Sequence, residues 1–220
     1  MVPVITEKEI KNRYRGLLRS FHATPSTNEL KQVRKAYQLV TDECNDRVTS
    51  AGEPLIYHIT SVAKIVAGEM GLGYMSVIGA LLKDIITISK ITEKDLINNF
   101  DFQISDIIKG LGKISDLDTK KTSYQPDHFR KLVVNLADDI RVILIKLAER
   151  LEVMRKLDAR DNESRIRISS ETYYLYAPLA QRLGLYNIKS EMEDTALKYL
   201  EPDIYNSIAE KVREIGRAHV

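Results

Sequence analysis

Apolar side chains recur every three or four residues along most of this chain, and that spacing constrains the fold more than any other feature. From Asn28 to Val48, the residues Leu30, Val33, Ala36, Tyr37, Val40 and Cys44 fall on one face of an amphipathic helix. Ala51-Gly52-Glu53-Pro54 breaks that run. Pro54 suits the first turn of a second helix, whose face is Ile56, Val62, Ala63, Ile65, Val66 and Met70 and whose stop is Gly71-Leu72-Gly73. Ser76 to Ile88 is apolar nearly throughout. Pattern alone allows a strand or a buried helix there, and Ala80-Leu81-Leu82 between helical neighbours favours helix. No run alternates with period two between hairpin turns, so the fold class is all-α, a multi-helix bundle without significant sheet.

Local punctuation divides the rest. Thr92-Glu93-Lys94-Asp95 has the form of a capping box before a short helix, and Gly110-Leu111-Gly112 reads as the end of another. Lys113 to Gln125 is polar with little apolar spacing and is expected to be a mobile loop. Pro126 opens a helix to about Ala137. Asp138-Asp139 stand as N-cap and first-turn acid of a long helix carrying Val142, Leu144, Ile145, Leu147, Leu151 and Met154. Further helices are expected near Glu163 to Leu183 and Ile188 to Leu200, and Glu201-Pro202-Asp203 starts a last one. Gly216 to Val220 follow it without any terminating logic and read as a boundary or an appended tail, not as functional residues.

With 220 residues the chain can bury one substantial core plus an appendage. Its 33 lysines and arginines nearly balance 31 aspartates and glutamates, so the formal charge of +2 offers no broad attraction to nucleic acid. A single cysteine, Cys44, excludes an internal disulfide and fits a half-buried structural thiol in a reducing compartment. The longest apolar stretches, such as Val142 to Leu147, are far below the roughly 20 residues that span a bilayer, and the N-terminus has no apolar signal region. The expectation is a cytoplasmic protein with no membrane and no nucleic-acid partner.

The chemically interesting residues are those interrupting apolar helices: His58 after Pro54, Lys83-Asp84 inside Leu81 to Ile86, and Glu149-Arg150 inside Ile145 to Leu151. A charge in a helix that is apolar nearly all round must be paired, exposed at a cleft or bound to an ion. From the residues alone, helix-surface charges or structural ion pairs are the commoner outcome. The same plain reading applies to Arg155-Lys156, Arg160 and Arg165 to Arg167 as a solvated face, and to Tyr173, Tyr174 and Tyr176 as packing.

Three stretches carry a family resemblance: Gly52-Glu53-Pro54-Leu55-Ile56-Tyr57-His58, Asp139 through Ala148, and Glu171 through Tyr176-Ala177-Pro178-Leu179-Ala180-Gln181-Arg182-Leu183-Gly184. With Ile188 to Asp194 and Lys198-Tyr199-Leu200, they closely resemble the N-terminal hydrolase region of the RelA/SpoT-type alarmone (guanosine tetra/pentaphosphate) synthetase/hydrolase family, over about Leu30 to Lys211 and in order. The resemblance implies an HD-domain-like bundle. It divides the chain into a lead-in over 1–27, an HD-type domain over 28–200 and the start of a linker helix over 201–220. It also implies a synthetase domain of the same polypeptide as partner, the enzyme that carries it being a GTP pyrophosphokinase. In family hydrolases two histidines and two aspartates hold manganese, which positions a water to remove the 3′-pyrophosphate of the alarmone.

Mapped onto this sequence, that ligand set is only half kept. The first histidine is His58, and the aspartate of the His-Asp pair is Asp84. Lys83 stands where the paired histidine belongs, and a protonated ammonium has no lone pair for a metal. The last aspartate is Glu149, one methylene longer. The acid pair that hydrolysis needs falls on Thr87 and Ile88, neither of which can act as acid or base. The late His-Asn becomes Glu152-Val153, a residue near the nucleotide becomes Lys156, and Thr49-Ser50 replace a basic residue beside the guanine. The expectation is therefore a degenerate hydrolase domain with a regulatory or scaffold role, no cofactor, and Lys83 paired with Asp84 or Glu149 where the ion would lie. The alternative is a weak or altered metal-dependent 3′-pyrophosphohydrolase using His58, Asp84 and Glu149. A third reading keeps guanosine tetra/pentaphosphate or a guanine nucleotide as an uncleaved effector.

Overall fold

The apolar segment that pattern left ambiguous is a helix, α4 (Tyr74–Leu82), and every residue from Val77 to Leu82 is buried. A helix covered on all sides has no polar face, which is why its sequence shows no period. It packs against α2 (Thr27–Cys44), α3 (Leu55–Lys64) and α7 (Phe102–Thr119). The computed structural model describes residues 5–44, 46–119 and 139–218. Among these the architecture is helical without a sheet; one isolated antiparallel bridge joins Val48 and Pro54 across a turn that Gly52 completes at φ 79°.

Two compact units are present, one of 5–119 with 139–152 and one of 153–218, residue 45 aside. In the first, α2 presents the expected face, with Val33, Ala36, Tyr37, Val40 and Cys44 buried. Cys44 is fully buried rather than half-buried, and burial pushes its thiol up to about 11. α3 starts directly after Pro54 and continues through a π-helical turn, Ile65–Glu69, to Gly71 at φ 63°. The segment read as a lead-in contains α1 (Glu7–Ser20), started by a capping box of Thr6 with Glu9. α1 buries Leu17, packs on α3, and sets the Arg13 guanidinium 3.4 Å from the centroid of the Tyr57 ring.

After α4 the chain kinks at Lys83-Asp84 into a single turn, α5 (Ile85–Ile88). The capping box at Thr92 is present and opens α6 (Glu93–Asn99). Two expectations fail at α7. Gly110-Leu111-Gly112 does not end a helix, and residues 113–119, expected as loop, extend it. The reason is packing. A Cβ on Gly110 would lie 2.7 Å from Val142 Cγ2, so the glycine permits close approach of α8 (Ile140–Arg155) instead of terminating α7. The rest of the expected loop, the helix expected from Pro126 to Ala137, and Asp138 lie outside the described residues. Asp139 does stand before α8, and its Oδ1 accepts from the Arg141 backbone N–H at 2.9 Å.

The second unit begins at Val153. Met154, Leu157, Ile168 and Ala196 form its core, with Val153, Tyr199 and Leu200 packed against it. α9 (Asn162–Glu171) runs through a π-helical turn at Thr172–Tyr176 into α10 (Ala177–Arg182), and Gly184 at φ 74° ends that stretch. α11 (Tyr186–Leu200) packs along these elements and is followed by α12 (Pro202–Ala218). Tyr176 is buried, whereas Tyr173 and Tyr174 are exposed and meet edge to face. The basic cluster is engaged locally: Arg155 pairs with Glu191 at 2.6 Å, Arg167 with Glu171 at 3.0 Å, and Arg165 Nε donates to the Arg160 carbonyl at 2.7 Å. No helix among the described residues is long and apolar enough to cross a membrane.

Candidate functional site

Three helices of the first unit supply the residues singled out in the sequence. His58 sits in the first turn of α3, placed there because Pro54 sets the start of the helix. Lys83 and Asp84 occupy the kink between α4 and α5, where the backbone leaves regular helix and both side chains can turn to one side. Glu149 and Glu152 project from α8, one turn apart.

Lys83, Asp84 and Glu149 are brought together. Lys83 Nζ donates to Asp84 Oδ2 at 2.5 Å and to Glu149 Oε1 at 2.7 Å, with only 6% of its side chain exposed. Lys146, three residues before Glu149 on α8, donates to the other oxygen, Glu149 Oε2, at 3.0 Å. Two carboxylates thus face two ammonium groups, and the formal charges cancel. Burial works against the Lys83 charge, but the Glu149 and Asp84 carboxylates outweigh it and hold its pKa above the ordinary lysine value. Burial likewise opposes the Glu149 charge, and Lys83, then Lys146, overcome it and hold the carboxyl well below its usual range. Both shifts favour the charged forms, the ammonium of Lys83 and the carboxylate of Glu149.

His58 takes a different partner. Its Nδ1 pairs with Glu152 Oε2, and the Glu152 side chain is only 3% exposed. Sequence comparison marked Glu152 merely as a changed position. That it reaches the retained histidine, 94 residues earlier, was not visible, although an acid on the same face of α8 one turn beyond Glu149 was a usable signal. Lys146 was missed altogether.

The remaining positions supply neither a carboxylate nor an imidazole. Thr87 is exposed, with its hydroxyl donating to the Asp84 carbonyl at 2.8 Å, and the Ile88 carbonyl accepts from Arg47 Nη2 at 2.5 Å. Neither offers a carboxylate. Thr49 belongs to the turn before α3, its N–H bound to the Glu53 carbonyl at 2.7 Å, and Ser50 is an exposed residue of the same turn. Val153 and Lys156 belong to the second unit.

The manganese implied by the resemblance is tested by this donor set. A divalent ion needs lone pairs converging on one point, from imidazole and carboxylate. Here the point between Asp84 and Glu149 is taken by a protonated ammonium, and the imidazole of His58 is engaged with Glu152. Among the described residues, no three His, Cys, Asp or Glu side chains are grouped so as to hold a metal ion. Lys83, Lys146 and Glu152 thus engage the side chains from which a divalent ion would draw its lone pairs.

A model of the HD domain family matches residues 36–186. The bifunctional (p)ppGpp synthase/hydrolase SpoT of Escherichia coli (strain K12) is 38% identical over 187 residues, which are 84% of this chain and 26% of that protein. The guanosine-3′,5′-bis(diphosphate) 3′-pyrophosphohydrolase of Vibrio cholerae is 38% identical over 186 residues, 84% of this chain and 26% of that protein. The GTP pyrophosphokinase of Myxococcus xanthus is 34% identical over 206 residues, 92% of this chain and 27% of that protein. The chain spans about a quarter of the length of these curated relatives.

Proposed function

From the premise that this chain belongs to the HD domain family, we propose that it is a regulatory or scaffold domain that has given up alarmone hydrolysis, working beside the synthetase region of a GTP pyrophosphokinase. The observation that carries this reading is Lys83 Nζ, 2.5 Å from Asp84 and 2.7 Å from Glu149. Metal-assisted hydrolysis requires an ion that lowers the pKa of a bound water and neutralises phosphate. An ammonium between the two acids cannot coordinate and acidify a water, and Thr87 and Ile88 supply no acid or base nearby.

The partner in this reading is the synthetase region of the same polypeptide, consistent with relatives that are more than three times as long as this chain. Guanosine tetra/pentaphosphate or a guanine nucleotide remains a candidate effector, bound without cleavage. Calorimetric titration of the purified domain with guanosine tetraphosphate in the absence of metal tests that part, and a flat titration removes it.

The central test is turnover. Incubated with guanosine tetraphosphate and manganese, the domain should release no pyrophosphate. The second reading, a weak or altered metal-dependent 3′-pyrophosphohydrolase, draws on the presence of both His58 and Asp84 and on similarity to a protein named for that activity. Release of pyrophosphate that disappears in His58→Ala would establish the second reading and overturn the first.

A further inference from the structure

We propose that Lys83 and Glu152 divide between them the two structural services of a divalent ion, neutralising facing carboxylates and fixing an imidazole, so that the domain holds its helices together without metal. This rests on the reading that the pocket is not a working hydrolase site, and it goes further by assigning the pocket a structural task.

An ion at the junction of α3, α4 and α8 would do two things besides chemistry. It would neutralise Asp84 and Glu149, which otherwise stand as two negative charges in a half-buried place, and it would fix the ring of His58. Both tasks are done here by side chains. Lys83 lies between the two carboxylates, and Lys146 adds a second positive charge 3.0 Å from Glu149. The pair of ammonium groups matches the two charges of a divalent cation. Glu152 engages Nδ1 of His58, which places that ring nitrogen in a protein contact and ties α3 to α8. The replacement is covalently tethered to the chain, so it cannot be titrated away by a chelator.

The pairing also explains why the charges stand inside apolar helices. Removing one partner of a buried ion pair leaves the other uncompensated, which is far more damaging than never having had the pair. Lys83 contacts both acids, Glu149 having Lys146 besides. In its absence Asp84 and Glu149 would attract any available cation, and manganese becomes a substitute for the ammonium.

Thermal melting of the wild-type chain, Lys83→Ala, Lys83→Gln and Glu152→Gln, each in EDTA and in excess manganese chloride, tests the proposal. Wild type should melt at the same temperature in both. Lys83→Ala should melt roughly 10 °C lower in EDTA and regain part of that loss in manganese. Lys83→Gln keeps a polar side chain of similar reach and supplies the same comparison should the alanine variant not fold. Glu152→Gln should melt lower in both media with no manganese response. Melting of the wild type that falls in EDTA or rises by several degrees in manganese would overturn the proposal, as would a Lys83→Ala protein as stable as wild type. Failure here is separable from failure of the functional reading: pyrophosphate release with manganese-insensitive melting refutes the latter alone, and EDTA-sensitive melting without pyrophosphate release refutes the former alone.

Discussion

Lys83 Nζ lies 2.7 Å from Glu149 Oε1, 66 residues away in the chain, and joins the kink after α4 to the middle of α8. An ammonium has three N–H donors, and two are used on Glu149 and on Asp84. Each single replacement leaves a partner behind: without Lys83, Glu149 keeps Lys146, and without Glu149, Lys83 keeps Asp84. A double-mutant cycle of Lys83→Met and Glu149→Gln, followed by urea denaturation, should therefore show single losses of about 3 kcal/mol, at the lower end for a broken buried pair. The double variant should lose less than the sum, with a coupling of about 1–3 kcal/mol. Strict additivity would mean that the contact contributes nothing.

The same network sets a pH dependence. The folded Glu149 carboxyl titrates below its ordinary value of 4.5 because Lys83 and Lys146 overcome its burial. A carboxyl whose pKa is depressed on folding contributes stability above the unfolded value, and that contribution is lost as pH falls through the folded one. The wild-type urea midpoint should thus drop below pH 4.5, and the gap between wild type and Glu149→Gln should close in the same window. A gap that stays constant from neutral pH to pH 3 would contradict the assignment.

Much of this fold was legible because helical periodicity and capping are local signals. The α2 face, the Thr92 capping box and the stop at Gly71 were readable in this way. The pairing of Lys83 was readable for a different reason, since a lysine amid Leu81, Leu82 and Ile85 has to find an anion. What escaped was tertiary. Glu152 and His58 meet across 94 residues, and nothing local announces it. Gly110 looks like a stop in sequence, but its lack of a side chain serves contact with Val142. Leu17 is fully buried in a segment that sequence treats as a lead-in, because one buried leucine in a polar helix gives a weak period.

Asp139 carries a second, separable arrangement at the start of α8. Its carboxylate accepts from the Arg141 N–H at 2.9 Å and from the Arg141 guanidinium through Nε at 2.8 Å and Nη2 at 2.6 Å. Capping and the bidentate charge contact are different functions of one side chain. Asp139→Asn keeps an oxygen for the backbone and should cost less than about 1 kcal/mol, while Asp139→Ala removes both functions and should cost about 1–2 kcal/mol. Equal losses, measured by chemical denaturation, would show that capping is unimportant here.

The glycines of α4 and α7 give opposite expectations from one chemical change. A methyl group on Gly79 would meet Ile107 Cγ2 at 2.6 Å, and one on Gly110 would meet Val142 Cγ2 at 2.7 Å. Alanine improves helix propensity by about 1 kcal/mol at an interior position. Overpacking a buried contact costs about 1–3 kcal/mol and should prevail at both sites. Gly112, two residues further along α7, has nothing within 4 Å of the same added atom. Gly112→Ala should accordingly stabilise the protein by about 0.5–1 kcal/mol, whereas Gly79→Ala and Gly110→Ala should lower the urea midpoint. If Gly110→Ala were as stable as Gly112→Ala, the close approach of α7 and α8 would not be what carries that helix through a glycine pair that otherwise reads as its end.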